Sequence, residues 1–155
     1  MKTLVVYYSR TGTTKKIGEE IAKKLRADVE EIRDTVDRKG VWGWLISGRD
    51  AMKRRLTKLH RPSKNPANYE LVIIGTPVWA GNVSVPVRTY LAAFKDKFKK
   101  VAFFCTLGSK GDKRTFSEME KVIAAEPVAT LAIATKETAV NTYSEKLENY
   151  IALLN

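Results

Sequence analysis

The sequence predicts one three-layer α/β domain, a doubly wound sheet of five parallel strands with helices on both faces. Three observations lead there. The apolar runs Leu4–Tyr8, Leu71–Ile74 and Val101–Cys105 show no polar alternation, as strands covered on both faces require. Segments of helical periodicity follow them. The alternation β-α-β-α-β-α-β-α-β-α then runs through the chain without a repeat, linker or low-complexity tract, which is the order of a parallel sheet. A length of 155 residues and a hydrophobic fraction of 44% suit a single domain, residues 1–155, with a sizeable core.

Leu4 to Tyr8 reads as the first buried strand. A polar turn, Ser9 to Thr14, leads into a helix whose buried stripe is Ile17, Ile21 and Leu25. Glu19–Lys23 and Glu20–Lys24 are i,i+4 pairs in the favourable order on its wet face. Val29 to Ile32 is a weaker, charged strand suited to a sheet edge. Asn65-Pro66-Ala67-Asn68 is a turn signal before the second strongly apolar strand, Leu71 to Gly75. A loop, Thr76 to Val83, precedes a helix carrying Val87, Tyr90, Leu91 and Phe94, with Pro86 in its first turn, where a missing N–H costs nothing. Val101 to Cys105 is the next strand. The loop Thr106 to Asp112 leads to a helix with Phe116, Met119, Val122 and Ile123. Val128 to Ala134 forms the last strand, and a helix from about Tyr143 places Leu147, Tyr150, Ile151 and Leu154 on one face.

The net charge of +11 is high for this size and draws anionic partners. It is concentrated: residues 38–64 hold nine Lys/Arg against one acid, Asp50. Within them Val41, Trp42, Trp44, Leu45, Ile46, Met52, Leu56 and Leu59 make a basic amphipathic stretch, partly helical. One account is a solvated helix that packs its apolar side on the sheet. Another is a docking patch for an anionic partner. Membrane-surface or calmodulin-like behaviour also fits such a stretch. The N-terminal apolar run is too short for a signal peptide or a membrane span, so a cytoplasmic protein without a transmembrane segment is expected. The lone cysteine, Cys105, allows no internal disulfide; as an apolar-strand residue it suits packing, with a redox role as the alternative. His60 has no cluster of ligating neighbours, so no metal site is expected.

Parallel sheets bind ligands at the carboxyl ends of their strands, which singles out the loops after the first, third and fourth strands. Ser9-Arg10-Thr11-Gly12-Thr13-Thr14 offers four hydroxyls, a glycine and free N–H groups at a helix N-terminus, a ready anion site. Neither a G-x-x-x-x-G-K-[ST] nor a G-x-G-x-x-G pattern is present after the first strand, which excludes a Walker loop and disfavours ordinary dinucleotide binding. The modest alternative is that Thr11 or Thr13 merely caps the helix.

Together these strings resemble the flavodoxin family, and more narrowly its short bacterial and archaeal members. The resemblance rests on Val6 to Thr14, on Gly75-Thr76-Pro77-Val78-Trp79-Ala80-Gly81 after the third strand, and on Lys39-Gly40 with Ser47-Gly48-Arg49-Asp50-Ala51. It implies a flavodoxin-like strand order of 2-1-3-4-5 and one non-covalent FMN. Ser9, Arg10, Thr11, Gly12, Thr13 and Thr14 would then hold the phosphate. Thr76, Pro77, Val78, Trp79, Ala80, Gly81 and Asn82 would pack against the flavin ring, with the Ala80–Gly81 peptide free to reorient. Thr106, Leu107, Gly108 and Gly111 would meet its pyrimidine edge. Many flavodoxins stack a tyrosine in this last loop; here Leu107 is the only apolar side chain. Trp79 has an alternative as an ordinary core aromatic.

Three classes of function follow. The first is an electron carrier with no catalytic residues of its own, docking an acidic redox protein such as ferredoxin at residues 38–64. The second is an NAD(P)H-dependent quinone or flavin reductase, with Trp42, Trp44, Arg49 or Lys110 lining a pocket over the ring. The third is a flavin-free basic binding module. A patch this basic attracts nucleic acid in a salt-dependent way, but no specific nucleic-acid recognition is expected. Many flavodoxins are acidic, so the basic charge is a departure from the family.

Overall fold

The structure, a computed structural model, describes residues 1–155. Strand β1 (Thr3–Tyr7) is buried along its whole length. Leu4 and Val6 enter one apolar cluster, and Val5 and Tyr7 enter the other. Strands β3 (Leu71–Trp79) and β5 (Val101–Leu107) divide in the same way. Val72, Ile74, Phe103 and Cys105 face the first cluster; Leu71, Ile73, Ala102 and Phe104 face the second. Both faces are covered, so these strands carry no polar alternation. With β2 (Asp28–Glu31) and β6 (Thr130–Ala134) they form a parallel sheet in the order β2-β1-β3-β5-β6. Among the parallel strands this is the expected 2-1-3-4-5, with the charged strand β2 at an edge. Val128 lies outside β6 and is exposed.

One strand departs from expectation. Residues 76–83 are not a loop: β3 continues through Trp79, and β4 (Asn82–Val83) returns antiparallel, pairing Val78 with Val83 and Trp79 with Asn82. The two turn residues, Ala80 and Gly81, have φ of 49° and 74°. Positive φ at both positions matches the strand twist in a two-residue hairpin.

Helices α1 (Thr13–Leu25) and α6 (Ser144–Leu154) cover one face, through Ile17, Ile21, Leu147, Tyr150, Ile151 and Leu154. Helices α3 (Val85–Phe94) and α4 (Asp112–Ile123) cover the other, through Val87, Tyr90, Leu91, Phe116, Met119 and Ile123. Helix α2 (Gly40–Met52) contributes only Ala51 to that first cluster. A short helix, α5 (Thr135–Ala139), was not foreseen; its Glu137 carboxylate accepts the Ala134 N–H at 2.7 Å. The anticipated pairs within α1 do not form. Lys24 instead meets Glu148 of α6, and Glu20 accepts the Tyr143 hydroxyl at 2.9 Å. A neighbouring helix supplied partners that spacing within α1 does not reveal.

Close packing at the sheet centre gives a stability test. A Cβ on Gly75 would lie 2.0 Å from Cζ of the buried Phe104 ring. Gly75→Ala is expected to cost about 1–3 kcal/mol by overpacking. Gly48→Ala, in open space on α2, is expected to gain about 0.5–1 kcal/mol from helix propensity. Urea unfolding of the two variants beside the parent checks both signs.

Candidate functional site

The loops after β1 and β5 meet the β3–β4 hairpin at the carboxyl ends of adjacent strands. In the first, Gly12 is the residue that begins α1, in a left-handed conformation at φ 96°, and no side chain caps the helix. The Ser9 hydroxyl instead accepts the Gly12 N–H at 3.0 Å and tightens the turn. Neither Thr11 nor Thr13 acts as a cap. The first turn contains no acidic side chain and does contain Lys15. A cation there opposes the helix dipole, and Lys15 is drawn off to Glu31 at 3.1 Å. Thr11 and Gly12 are exposed and Thr13 is half-buried. Thr14 is buried, its hydroxyl 2.7 Å from that of Thr106, so β5 and the first loop are tied together. Arg10 turns toward the end of β2, where it lines a recess of about 290 Å³ with Asp34 and Asp37.

The β3–β4 hairpin packs against the loop after β5 through two glycines. A Cβ on Gly111, at φ 111°, would lie 2.9 Å from Cα of Gly81 and 3.0 Å from a Val78 methyl. Only glycine permits both that conformation and that approach. Thr76 is fully buried, its hydroxyl accepting the Ser84 N–H at 3.1 Å at the start of α3. Pro77 is half-buried. Asn82 donates from Nδ2 to the Ala80 carbonyl at 2.8 Å, while its buried Oδ1 has no partner. Leu107 is a correction: it closes β5 inside the core, so the loop Gly108 to Gly111 shows no apolar side chain. Cys105 is fully buried, and burial pushes its thiol far above the ordinary range, so the packing role holds.

Trp79 is 8% exposed. Its ring meets Tyr8 edge-on at 5.5 Å, and the Arg38 guanidinium lies 5.5 Å from its centroid. Arg38 itself is buried between carboxylates. Its Nε donates to Asp34 at 2.6 Å and a terminal nitrogen donates to Asp50 at 3.2 Å. Asp34 also accepts the Thr57 hydroxyl at 2.7 Å and the Val36 N–H at 3.1 Å. Asp50 receives Arg49 and Arg55 at 3.1 and 3.2 Å. Burial opposes ionisation of Asp50, but hydrogen bonds from Arg49 and Arg38 outweigh it and hold the carboxyl below its usual range.

This network fixes α2 in the orientation opposite to the first account, in which its apolar side packs on the sheet. Its inner face is Gly43, Ser47, Asp50 and Ala51, and a Cβ on Gly43 would strike the Arg38 backbone at 2.0 Å. Its apolar side chains point outward. Trp44, Leu45, Gly48 and Met52 form one wall of a cleft of about 820 Å³ whose other wall is Val78, Trp79, Ala80 and Gly108. Arg49 and Lys53 stand at this cleft; Trp42 and Lys110 do not line it. The signal that sequence reasoning missed is the small-residue spacing Gly43, Ser47, Ala51, which lets a helix approach closely on that side.

Residues 2–149 match the family model described as flavodoxin. The chain belongs to the flavodoxin family. Solved structures agree. A flavoprotein from Lactobacillus acidophilus NCFM, determined in complex with FMN, is 25% identical, with a TM-score of 0.71 over 92% of this chain and 98% of that one. A WrbA-like flavodoxin from Agrobacterium tumefaciens is 17% identical, with a TM-score of 0.62 over 98% and 96%. A Streptococcus pneumoniae TIGR4 flavodoxin is 16% identical, with a TM-score of 0.57 over 99% and 97%. No curated protein matches significantly. In this flavodoxin-family chain the strand order is the one the resemblance implied; the β3–β4 hairpin in place of a loop and the outward-facing α2 wall were not among its implications.

Arg38→Ala leaves Asp34 and Asp50 facing each other without their shared cation and is expected to cost about 3–5 kcal/mol in urea unfolding. Asp50 has a lowered pKa when folded, so its contribution is present above the unfolded-state value and is lost as pH falls through the folded one. Stability is expected to decline below about pH 4, with a shallower decline in Asp50→Asn.

Proposed function

We propose that this chain binds one FMN non-covalently and serves as an electron-transfer flavoprotein. The observation that carries the proposal is the uncapped, acid-free N-terminus of α1, joined through Thr14 and Thr106 to loops bordering a large apolar cleft. Family membership and the FMN complex of the 25% identical relative support it.

The residues present fit the cofactor. A phosphate suits free helical N–H groups flanked by the Thr11 and Thr13 hydroxyls, where the helix dipole favours negative charge and no carboxylate competes. Gly12 lets the backbone approach an anion closely. A planar aromatic ring suits the apolar cleft, with Val78, Trp79 and Ala80 on one side and Trp44 and Leu45 on the other. Backbone groups of Gly108 to Gly111 offer donors beside it. When bound, FMN supplies reversible one- and two-electron chemistry. The chain's own residues anchor the phosphate, exclude water from the cleft and fix the hairpin through the Gly81–Gly111 contact. Reorienting the Ala80–Gly81 peptide would break the Asn82–Ala80 hydrogen bond, so Asn82 sets a cost on that movement.

The positive field at α2 and beyond speeds encounter with an acidic redox protein, such as a ferredoxin, or with the phosphates of NAD(P)H. A second class, the NAD(P)H-dependent quinone or flavin reductase, is favoured by the cleft itself, which has Arg49 and Lys53 beside its apolar wall. NADPH oxidation coupled to a quinone separates this enzyme from a carrier that is inert to NADPH and reduced by ferredoxin. No helix is long and apolar enough to cross a membrane.

The visible spectrum of the purified protein is expected to show flavin bands, and denaturation is expected to release FMN. A colourless protein that takes up no added FMN overturns the proposal. FMN is expected to bind roughly 10- to 100-fold more tightly than riboflavin, the worth of charge-assisted hydrogen bonds to its phosphate. Gly111→Val, which drives the hairpin away from the neighbouring loop, is expected to weaken both flavins alike, as fluorescence titration would show.

A further inference from the structure

The cleft proposed for the cofactor takes in Trp44, Leu45 and Met52 but leaves Val41, Trp42 and Leu56 of the outer surface unexplained. Val41 is 75% exposed, Trp42 79%, Trp44 62% and Met52 68%, with Leu45 and Leu56 also exposed. Val41, Leu45, Gly48 and Met52 recur at helical spacing and form one outward stripe, with Trp44 beside it. Trp42, Arg49 and Lys53 share the adjoining flank by the same spacing. Lys39 precedes the helix, and Lys53, Arg54, Arg55 and Lys58 follow it, all exposed. Arg38 is not part of this surface, because it is consumed inside by Asp34 and Asp50. Arg49, Arg54 and Arg55 touch carboxylates yet keep 55%, 62% and 46% of their side chains exposed; Lys39, Lys53 and Lys58 make no ion pair.

From this surface we infer that α2 and the segment to Lys58 form a docking face for an anionic lipid bilayer. Protruding tryptophans and aliphatic side chains ringed by unpaired cations are the composition of a helix that lies in the headgroup region. Tryptophan is favoured at that depth because its ring is apolar and its N–H can be solvated. Charge decides against a second copy of this chain. A two-fold contact would bring the same cations against one another, with Asp50 already engaged internally. An acidic protein satisfies the cations but gives no account of Val41, Trp42 and Leu56, which stand in water outside the cleft. The bilayer satisfies both. The stripe also walls the cleft, so docking would place the cleft mouth at the lipid surface.

The test uses the full chain with sedimenting vesicles, either equimolar phosphatidylcholine and phosphatidylglycerol or phosphatidylcholine alone. Binding is expected only to the anionic vesicles. The W42A/W44A double variant is expected to lose tenfold or more of the partitioning, roughly as its lost apolar area dictates. Lys53→Ala is expected to lose about fivefold, as for one interfacial cation. A K99A/K100A variant, altered at the opposite end of the sheet, is expected to bind as the parent does. Both tryptophans are exposed, and unchanged urea midpoints of the flavin-free proteins would confirm that the variants fold, since Trp44 also walls the cleft. Three outcomes overturn the inference: no binding to anionic vesicles; binding unaffected by W42A/W44A, which would be plain attraction of a cationic protein; or self-association in light scattering that W42A/W44A abolishes. Capture of an acidic ferredoxin through the same residues, with vesicles ignored, would assign the face to a protein instead.

Discussion

Arg38 is the interaction on which the site depends. A buried guanidinium is stable only when its charge and its hydrogen-bond donors are matched, since desolvation costs several kcal/mol per ion. Asp34, three residues beyond β2, and Asp50 on α2 match it, and the face of Trp79 covers it. These contacts join three elements that local sequence does not connect. They hold the polar side of α2 inward, over the end of the sheet, and so turn its apolar side out. The cleft exists because of that choice. Its outer wall is the outward side of a helix whose inward side is held by charge.

The hairpin after β3 depends on a different constraint, close approach of backbones. Gly111 meets the Gly81 backbone where a side chain on Gly111 has no room, and Ala80 and Gly81 take positive φ to complete the turn. Thr76 and Asn82 use their buried polar groups to hold the hairpin to itself and to the start of α3. The side chains of this segment thus shape the cleft more than they face it. Of the seven residues from Thr76 to Asn82, only Val78, Trp79 and Ala80 line it. A ring-binding role for the segment, as the family implies, would therefore fall largely on backbone and on those three.

Charge in the basic segment is divided by depth. Arg38 is structural, and Arg49 and Arg55 serve Asp50 from the rim, while Lys39, Lys53 and Lys58 are free for partners. The formal surplus of residues 38–64 overstates what a partner meets, but what remains is aligned with exposed tryptophans. Lys39 and Lys53 beside Val41 and Trp42, which stand outside the cleft, form a surface that its cofactor does not use.

The sequence by itself determined the sheet. Continuous apolar strands at β1, β3 and β5, a charged edge at β2, and amphipathic helices α1, α3, α4 and α6 were legible because burial on both faces and helical periodicity are local patterns. The loop Ser9 to Thr14 was legible for the same reason, as a strand-to-helix turn rich in hydroxyls. What only the tertiary structure decided was which side of α2 faces inward, and with it the cleft wall of Trp44, Leu45 and Met52. Hydrophobicity alone points those side chains at the sheet. A buried Arg38 needing Asp50, and a backbone that admits only Gly43 beside it, turn them away. The interior placement of Leu107 and the continuation of β3 through Trp79 were likewise set by pairing across strands, which no single stretch of sequence contains.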